Sequence, residues 1–207
     1  MAEEKNFKKA LTTDDVKVYI DSRVKAAYDK LMATPRTEVA EIQGWWNLLA
    51  VGPIQPIRVD GPFAPHQVIK IGEPAFVATL IVLNPFLMLP GGISAAHALS
   101  DFALPYEINY QAANISLWAP SPLGGVNTGN LVPGQFWYVD VHQFIPQQAG
   151  IHEMNILARI LGAVSPGTAP HFAGFARRIL DLDPEVLWPP STRTWQFDLP
   201  IKFMAYP

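Results

Sequence analysis

The residues best placed to do chemistry lie in FWYVDVHQFIPQQAGIHEMNILARIL, residues 136–161. Asp140 and His142 come before a stretch of turn-forming residues, and His152 follows it. A neutral imidazole held by a carboxylate acts as a general base near neutral pH, and two histidines with one aspartate can hold a divalent metal. The residue types and their spacing therefore raise a catalytic or metal-binding site as one hypothesis.

Whether these side chains meet depends on how the two segments pair. If residues 146–150 form a hairpin loop, Phe144 lies opposite His152, and Asp140, His142 and His152 share one face. If the segments belong to different sheets, that pairing does not exist. The same face carries several aromatic and aliphatic side chains, which favours a half-buried wall whose polar groups satisfy each other or the backbone. We therefore expect packing first, ligand contact second, and no metal.

Two tryptophans beside proline-rich segments are further candidates. Trp118 lies in LWAPSP and Trp188 in LWPPS. Most tryptophans belong to the core, but an aromatic side chain on such a loop can anchor a partner or line an apolar pocket. Trp118 and Trp188 join Asp140, His142 and His152 as candidate ligand-binding residues, and a small apolar ligand is the class that they would fit.

Other catalytic patterns are absent from the sequence. It lacks the spacings of His-Glu-x-x-His, of the phosphate-binding loop with its lysine and of the Gly-x-Ser-x-Gly nucleophile elbow. The glycine run PLGGVNTGN, residues 122–130, has no such lysine and is interpreted as a connecting loop. We predict no catalytic residue and no cofactor.

Charge is scarce and unevenly distributed in this chain. Charged residues make up 16% of its 207 residues, against roughly 25% in an average soluble domain. Residues 1–41 hold eight of the 15 Lys and Arg, and the span from Ile71 to Ala158 holds none. A soluble monomer normally keeps charges of both signs over its surface. The long span without cations therefore predicts a surface covered by another copy of the chain.

The same counts exclude or weaken several classes of partner. A net charge of -3 without a basic patch argues against nucleic-acid binding. The polar first residues do not form a secretory signal, and the lack of cysteine is compatible with a reducing compartment, so we expect a cytoplasmic protein. The most apolar run, Ala75–Leu89, is shorter than the roughly 20 residues that cross a bilayer. Membrane contact through Phe86–Leu89 remains the weakest of the alternatives.

An amphipathic helix is predicted near the start of the chain. In residues 12–32, apolar side chains recur at helical spacing, Thr12 or Thr13 is the N-cap, and acids fill the first turn. We expect its apolar face to dock on the chain's own sheet or on a neighbour. A second helical turn is predicted from the spacing of Val39, Ile42, Trp46 and Leu49.

After Gly52 the pattern changes to strands separated by turns. Strands are predicted at residues 68–71, 76–83, 136–145 and 151–161, and the tail alternates from Trp195 to Ala205. In YEINYQAANISLWAP the apolar phase shifts, which predicts a β-bulge near Ala112 and Ala113.

The absence of alternating helices favours a mainly β fold, an antiparallel β-sandwich of immunoglobulin-like or jelly-roll type with an N-terminal amphipathic helix. We assign residues 1–45 to a helical segment and residues 46–207 to the sandwich. The function that these patterns favour is a non-enzymatic structural or interaction protein that forms homo-oligomers. A small-molecule binder or enzyme with an apolar pocket is the alternative.

Overall fold

A computed structural model describes residues 11–34, 44–55, 67–161, 172–188 and 200–207. Parts of two predicted elements lie outside these ranges, namely Val39 and Ile42 and the tail up to Leu199. The described helices are α1 (Thr13–Ala33), α2 (Ala95–Ser100) and α3 (Pro184–Leu187). The described strands are β1 (Trp46–Ile54), β2 (Val68–Lys70), β3 (Ala75–Leu83), β4 (Pro105–Asn114), β5 (Ala119–Pro120), β6 (Gly125–Asn130), β7 (Trp137–Phe144), β8 (Gly150–Ile160), β9 (Phe172–Phe175), β10 (Arg177–Arg178) and β11 (Ile201–Tyr206).

Helix α1 begins where the capping residues predict. The Thr12 hydroxyl accepts the Asp15 N–H at 3.2 Å, and the Asp15 carboxylate accepts the Thr12 N–H at 3.0 Å, which completes a capping box. The buried side chains of the helix recur at three or four positions: Val16, Ile20, Val24, Ala27 and Leu31. The predicted amphipathic helix is confirmed.

The smaller sheet has the strand order β10-β1-β3-β7. Strand β3 is buried at every residue and is hydrogen-bonded on both sides, as its continuous apolar run predicts. The predicted helical turn through Trp46 and Leu49 is wrong, because these residues lie in β1 and pair with β3. Their spacing misleads because β1 is buried on both faces from Leu48 onward, so apolar residues occur at every position.

The larger sheet has the order β2-β11-β8-β4-β5, with β6 also paired to β4 and β9 also paired to β8. Both sheets are mixed, because β10 runs parallel to β1 and β2 runs parallel to β11. The mainly β class and the N-terminal helix are confirmed, whereas the expectation of purely antiparallel sheets is wrong. A parallel pair needs a long crossover connection, and such connections leave no local sequence signature.

Strand β4 contains no bulge at Ala112 and Ala113. Its register with β8 is continuous from Tyr106↔Ile160 to Asn114↔His152. The phase shift in the sequence arises because the strand ends at Asn114, whose Oδ1 accepts the backbone N–H groups of Ser116 and Leu117 at 3.1 and 3.3 Å. The following apolar residues belong to this turn.

The hairpin proposed for β7 and β8 does not exist. Strand β7 pairs with β3 in the smaller sheet, and β8 pairs with β4, β9 and β11 in the larger one. Residues 145–149 carry the chain from one sheet to the other, so that the apolar faces of the two strands bury against each other across the core.

Two hydrophobic cores divide the described structure into three layers. One core fills the space between the two sheets, and the other lies between the smaller sheet and α1. Helix α1 therefore docks on its own sheet. Among the described residues, no helix covers the outer face of the larger sheet, and no helix is long and apolar enough to cross a membrane.

Candidate functional site

Asp140 is the centre of a polar cluster between the sheets. Its Oδ1 accepts hydrogen bonds from the Tyr110 phenol at 2.8 Å and from the Asn127 amide at 2.5 Å. The Thr79 hydroxyl donates to Tyr110 Oη at 2.9 Å, because the single phenol proton points to the carboxylate. Asp140 and Thr79 lie in the smaller sheet, and Tyr110 and Asn127 lie in the larger one. The cluster therefore joins the two layers.

The phenol of Tyr110 is a hydrogen-bond donor in this cluster. Burial raises the pKa of Tyr110 well above its ordinary value, and the nearby Asp140 carboxylate raises it further. The pKa of Tyr106 is raised by the same two causes in the same order. Because these phenols stay protonated, the cluster holds a neutral donor against a carboxylate and contains no tyrosinate base.

His142 lies on the same face of β7 as Asp140, but its side chain hydrogen-bonds to a different partner. Its Nε2–H donates to the Leu123 carbonyl at 2.8 Å, and its ring stacks on Tyr110 with centroids 4.4 Å apart. Gly125 passes so close that a Cβ there would lie 2.7 Å from the imidazole Cε1. Within the described residues no hydrogen bond joins His142 to Asp140, so the carboxylate does not orient this imidazole as it would a general base.

His152 belongs to another part of the core. It is 1% exposed, its Nε2–H donates to the Gln148 carbonyl at 3.0 Å, and its Nδ1 accepts from the Ser121 hydroxyl at 3.3 Å. It lies four residues along β8 from Ile156, the residue paired with Tyr110, a distance of about 13 Å along the strand. Both nitrogens of a neutral ring are thereby satisfied, and His152 does not join Asp140 in one site.

A series of ring contacts connects the two histidines through the core. The ring of His142 is 6.1 Å from Phe144, which is 5.6 Å from Phe203, which is 5.4 Å from His152. Phe144 and Phe203 come from opposite sheets. These rings do not form a wall on one face of paired β7 and β8 strands; they lie across the core between the two sheets, and the two histidines stand at opposite ends without forming a pair.

The two candidate tryptophans have opposite environments. Trp188 is buried under α1, with its indole N–H donating to the Leu83 carbonyl at 3.0 Å and its ring 5.6 Å from Tyr28. Trp118 is 92% exposed in the turn between β4 and β5, with a φ of 51°. A bulky side chain rarely adopts this left-handed backbone. Only Trp118 is available to a partner, and it is distant from the Asp140 cluster along β4.

Sequence patterns did not predict most of the Asp140 cluster. Residues 125–130 were interpreted as part of a loop and form strand β6, whose inward positions are Gly125, Asn127 and Gly129. The small residues are needed because a Cβ at Gly129 would meet the Tyr106 hydroxyl. The alternation Gly-x-Asn-x-Gly in residues 125–129 is the sequence pattern that could have predicted this strand. Among the described residues, no three His, Cys, Asp or Glu side chains form a group that could hold a metal.

Sequence patterns also did not predict an apolar row on the outer face of the larger sheet. Val68 pairs with Met204, and Met204 pairs with Ile151, so these three side chains lie side by side across β2, β11 and β8. The Ile151 carbonyl accepts the Ile115 N–H at 2.9 Å, and Ile115 begins the turn that contains Trp118. We call Val68, Met204 and Ile151 the first apolar row; these three side chains and Trp118 in the neighbouring turn are exposed.

A second apolar row crosses the same face further along the strands. Leu157 pairs with Phe175 on one side and with Asn109 on the other, and Asn109 pairs with Val126. Phe175 and Val126 are each 56% exposed, and Leu157 is partly exposed. We call Phe175, Leu157 and Val126 the second apolar row. It lies six residues along β8 from the first, or about 20 Å.

Polar residues separate the two apolar rows. Next to the first row, Lys202 and Glu153 are paired across β11 and β8, with 3.7 Å between ammonium and carboxylate. Next to the second row, Asn155 is paired with Gln111. Along the strands, the outer face of the larger sheet therefore carries an apolar row, a charged row, a neutral polar row and a second apolar row, in that order.

No protein-family model and no curated protein matches the chain. Among solved structures, one match is the CARDB domain of a Pyrococcus furiosus protein in complex with di-metal ions, with 9% identity, a TM-score of 0.33, and coverage of 69% of this chain and 90% of that chain. Another is a beta-glucosidase from Listeria innocua in complex with gluconolactone, with 11% identity, a TM-score of 0.30, and coverage of 66% of this chain and 16% of that chain. At these values neither likeness carries an inference about function.

Proposed function

We propose that this chain is a non-enzymatic structural or interaction protein that self-associates through the outer face of its larger sheet, in a sandwich of the immunoglobulin-like or jelly-roll type. The observation that supports self-association best is the first apolar row. Its side chains are contiguous by strand register, and Met204 and Ile151 are each 45% exposed. Contiguous apolar patches on a soluble protein mark interaction sites, whereas scattered apolar residues do not.

Trp118 supports the same surface. Buried tryptophans dominate the energetics of protein interfaces, yet Trp118 is 92% exposed in the free chain and occupies a left-handed backbone position. That conformation costs a non-glycine residue roughly 1–2 kcal/mol. A costly position for a large side chain that packs on nothing is consistent with packing against a second copy.

We expect the wild-type chain to be an oligomer at micromolar concentration in size-exclusion chromatography with light scattering. Met204→Glu places a charge in the first apolar row and should shift the chain toward monomer. Trp118→Asn should weaken assembly without loss of folding stability, because Asn tolerates the left-handed backbone and the indole packs on nothing in the monomer.

Val18→Glu is the matched control, since Val18 is a 69% exposed aliphatic residue on α1, outside this face. It should leave the mass unchanged. A wild-type chain that is monomeric at micromolar concentration would contradict the proposal, as would an equal effect of the three substitutions.

The alternatives have weaker support. At Asp140, the Tyr110 and Asn127 hydrogen bonds already occupy Oδ1, so this oxygen serves the contact between the sheets. Membrane contact through Phe86–Leu89 is supported by the exposure of Met88 alone in that stretch, because Phe86 packs against the core under α1.

A further inference from the structure

We infer that two copies associate face to face about a two-fold axis. The axis runs parallel to the apolar rows and passes between Glu153 and Asn155. The first apolar row of each copy then covers the second apolar row of the other. This inference rests on the proposed self-association and adds its geometry. It depends on the order of four rows on the outer face of the larger sheet. In order along the strands, these are the first apolar row, the charged row of Glu153 and Lys202, the neutral row of Asn155 and Gln111, and the second apolar row.

The row order is self-complementary under this axis. A rotation about an axis parallel to the rows reverses each strand and lays β8 over β8 of the second copy. Ile151 then faces Leu157 of the second copy, and Met204 faces Phe175, because β11 and β9 flank β8 on the same side. The two-fold axis repeats both kinds of pair, so apolar side chains meet apolar side chains at four places in the contact.

The polar rows are also compatible with this axis. Glu153 faces Asn155 of the second copy, whose amide group can both donate and accept hydrogen bonds, and Gln111 faces Ala113, because this axis lays each strand over its counterpart. No like charges come together across the contact between these rows. Just outside it, the Arg159 and Glu107 ion pair lies beyond the second apolar row and remains at the rim.

The other two-fold arrangement is disfavoured by charge. An axis parallel to the strands would lay each residue of β8 over the same residue of the second copy. Glu153 would then face Glu153, and Arg159 would face Arg159. Like charges opposed across an interface are destabilising and select against that arrangement.

The overlap has the size of a weak, specific contact. Five strands and four rows span about 24 Å by about 27 Å, or about 650 Å² on each copy. Standard specific interfaces bury about 800 Å² per partner. The expected contact is therefore somewhat smaller than a standard specific interface.

The chain contains no cysteine, so single-cysteine variants report on this geometry without background. Ile151→Cys and Leu157→Cys chains are prepared separately and treated with a short bismaleimide, first alone and then as an equal mixture. We expect a cross-linked dimer in the mixture and little in either variant alone. Met204→Cys mixed with Phe175→Cys is a second pair with the same expectation, in case one variant of the first pair folds poorly. Val18→Cys mixed with Leu157→Cys is the control, which should not cross-link.

The possible outcomes distinguish failure of this dimer geometry from failure of the proposed self-association. Efficient cross-linking of Ile151→Cys chains with each other would show the axis parallel to the strands and overturn the inference. A wild-type dimer by light scattering in which neither mixed pair cross-links would overturn the inference while leaving self-association through another surface. A wild-type monomer would overturn both.

Discussion

At the residue scale, Asp140 acts as an acceptor that joins two layers. One of its oxygens holds the Tyr110 phenol and the Asn127 amide, and both donors come from the opposite sheet. A buried donor that loses its partner costs the folded state more than the net value of the bond, because the donor also loses water. We therefore expect the Asp140 cluster to stabilise the folded chain.

We predict that Asp140→Ala lowers the free energy of unfolding by about 1–3 kcal/mol, since it leaves two donors without their acceptor between the sheets. Urea unfolding followed by circular dichroism measures the loss. Asp29→Ala is the matched control, because Asp29 is an exposed carboxylate whose ion pair among the described residues is with Lys25 in its own helix, and surface pairs contribute about 0–1 kcal/mol. Equal losses in the two variants would contradict the structural role.

A pH dependence follows from Tyr110. Its pKa in the folded chain lies above the ordinary value of 10.0 because of burial and the Asp140 carboxylate. The unfolded chain therefore loses this proton first, so the contribution of Tyr110 to stability is constant well below pH 10 and falls as pH rises above it. The slope for one such group is at most about 1.4 kcal/mol per pH unit.

The predicted observation is a smaller alkaline loss of stability in Tyr110→Phe than in the wild type, measured by urea unfolding on both sides of pH 10. The variant should also be less stable at neutral pH, because Asp140 and Thr79 lose a partner. Identical alkaline profiles would rule out Tyr110 as the source.

At the scale of elements, local sequence signals predicted the helix and the longest strands. They did not predict which strands pair or to which sheet each strand belongs. Helix α1 was predicted from its cap and its spacing, and β3 from an apolar run buried on both faces. The sequence left open whether β7 and β8 form a hairpin or belong to different sheets, and residues 145–149 cross between the sheets. Strand periodicity shows which residues share a face and does not show which strand lies beside them.

Helix α1 offers a direct test of its two faces. We predict that Ile20→Ala costs about 2–5 kcal/mol, because Ile20 is 1% exposed in the core between helix and sheet. Val18→Ala, on the exposed side of the same helix, should change stability by less than about 0.5 kcal/mol. Thermal and urea unfolding of both variants check the contrast, and a small effect of Ile20→Ala would mean that the helix does not support the sheet.

At the scale of the whole molecule, the layers leave one broad face without a described cover. Helix α1 buries the outer face of the smaller sheet, whereas the larger sheet carries its two apolar rows in exposed positions. If these rows bind a second copy, association and folding are linked, because the partner binds only the folded chain.

We therefore predict that the midpoint of thermal unfolding rises with protein concentration over about two orders of magnitude in the wild type. In Met204→Glu the midpoint should be nearly independent of concentration, and in Val18→Glu it should rise as in the wild type. Differential scanning calorimetry measures all three. A wild-type midpoint that does not change with concentration would contradict a dimer built on this face.

The amino-acid sequence by itself determined the mainly β class, the capped helix and the scarcity of charge, because caps, periodicity and composition act through neighbours in the chain. Only the tertiary structure decided that Asp140 meets Tyr110 and Asn127, that His142 and His152 stand apart, and that Val68, Met204 and Ile151 line one row. These groupings depend on strand register between segments far apart in the chain. Register is set by the joint burial of two sheets and a helix, and no single segment encodes it.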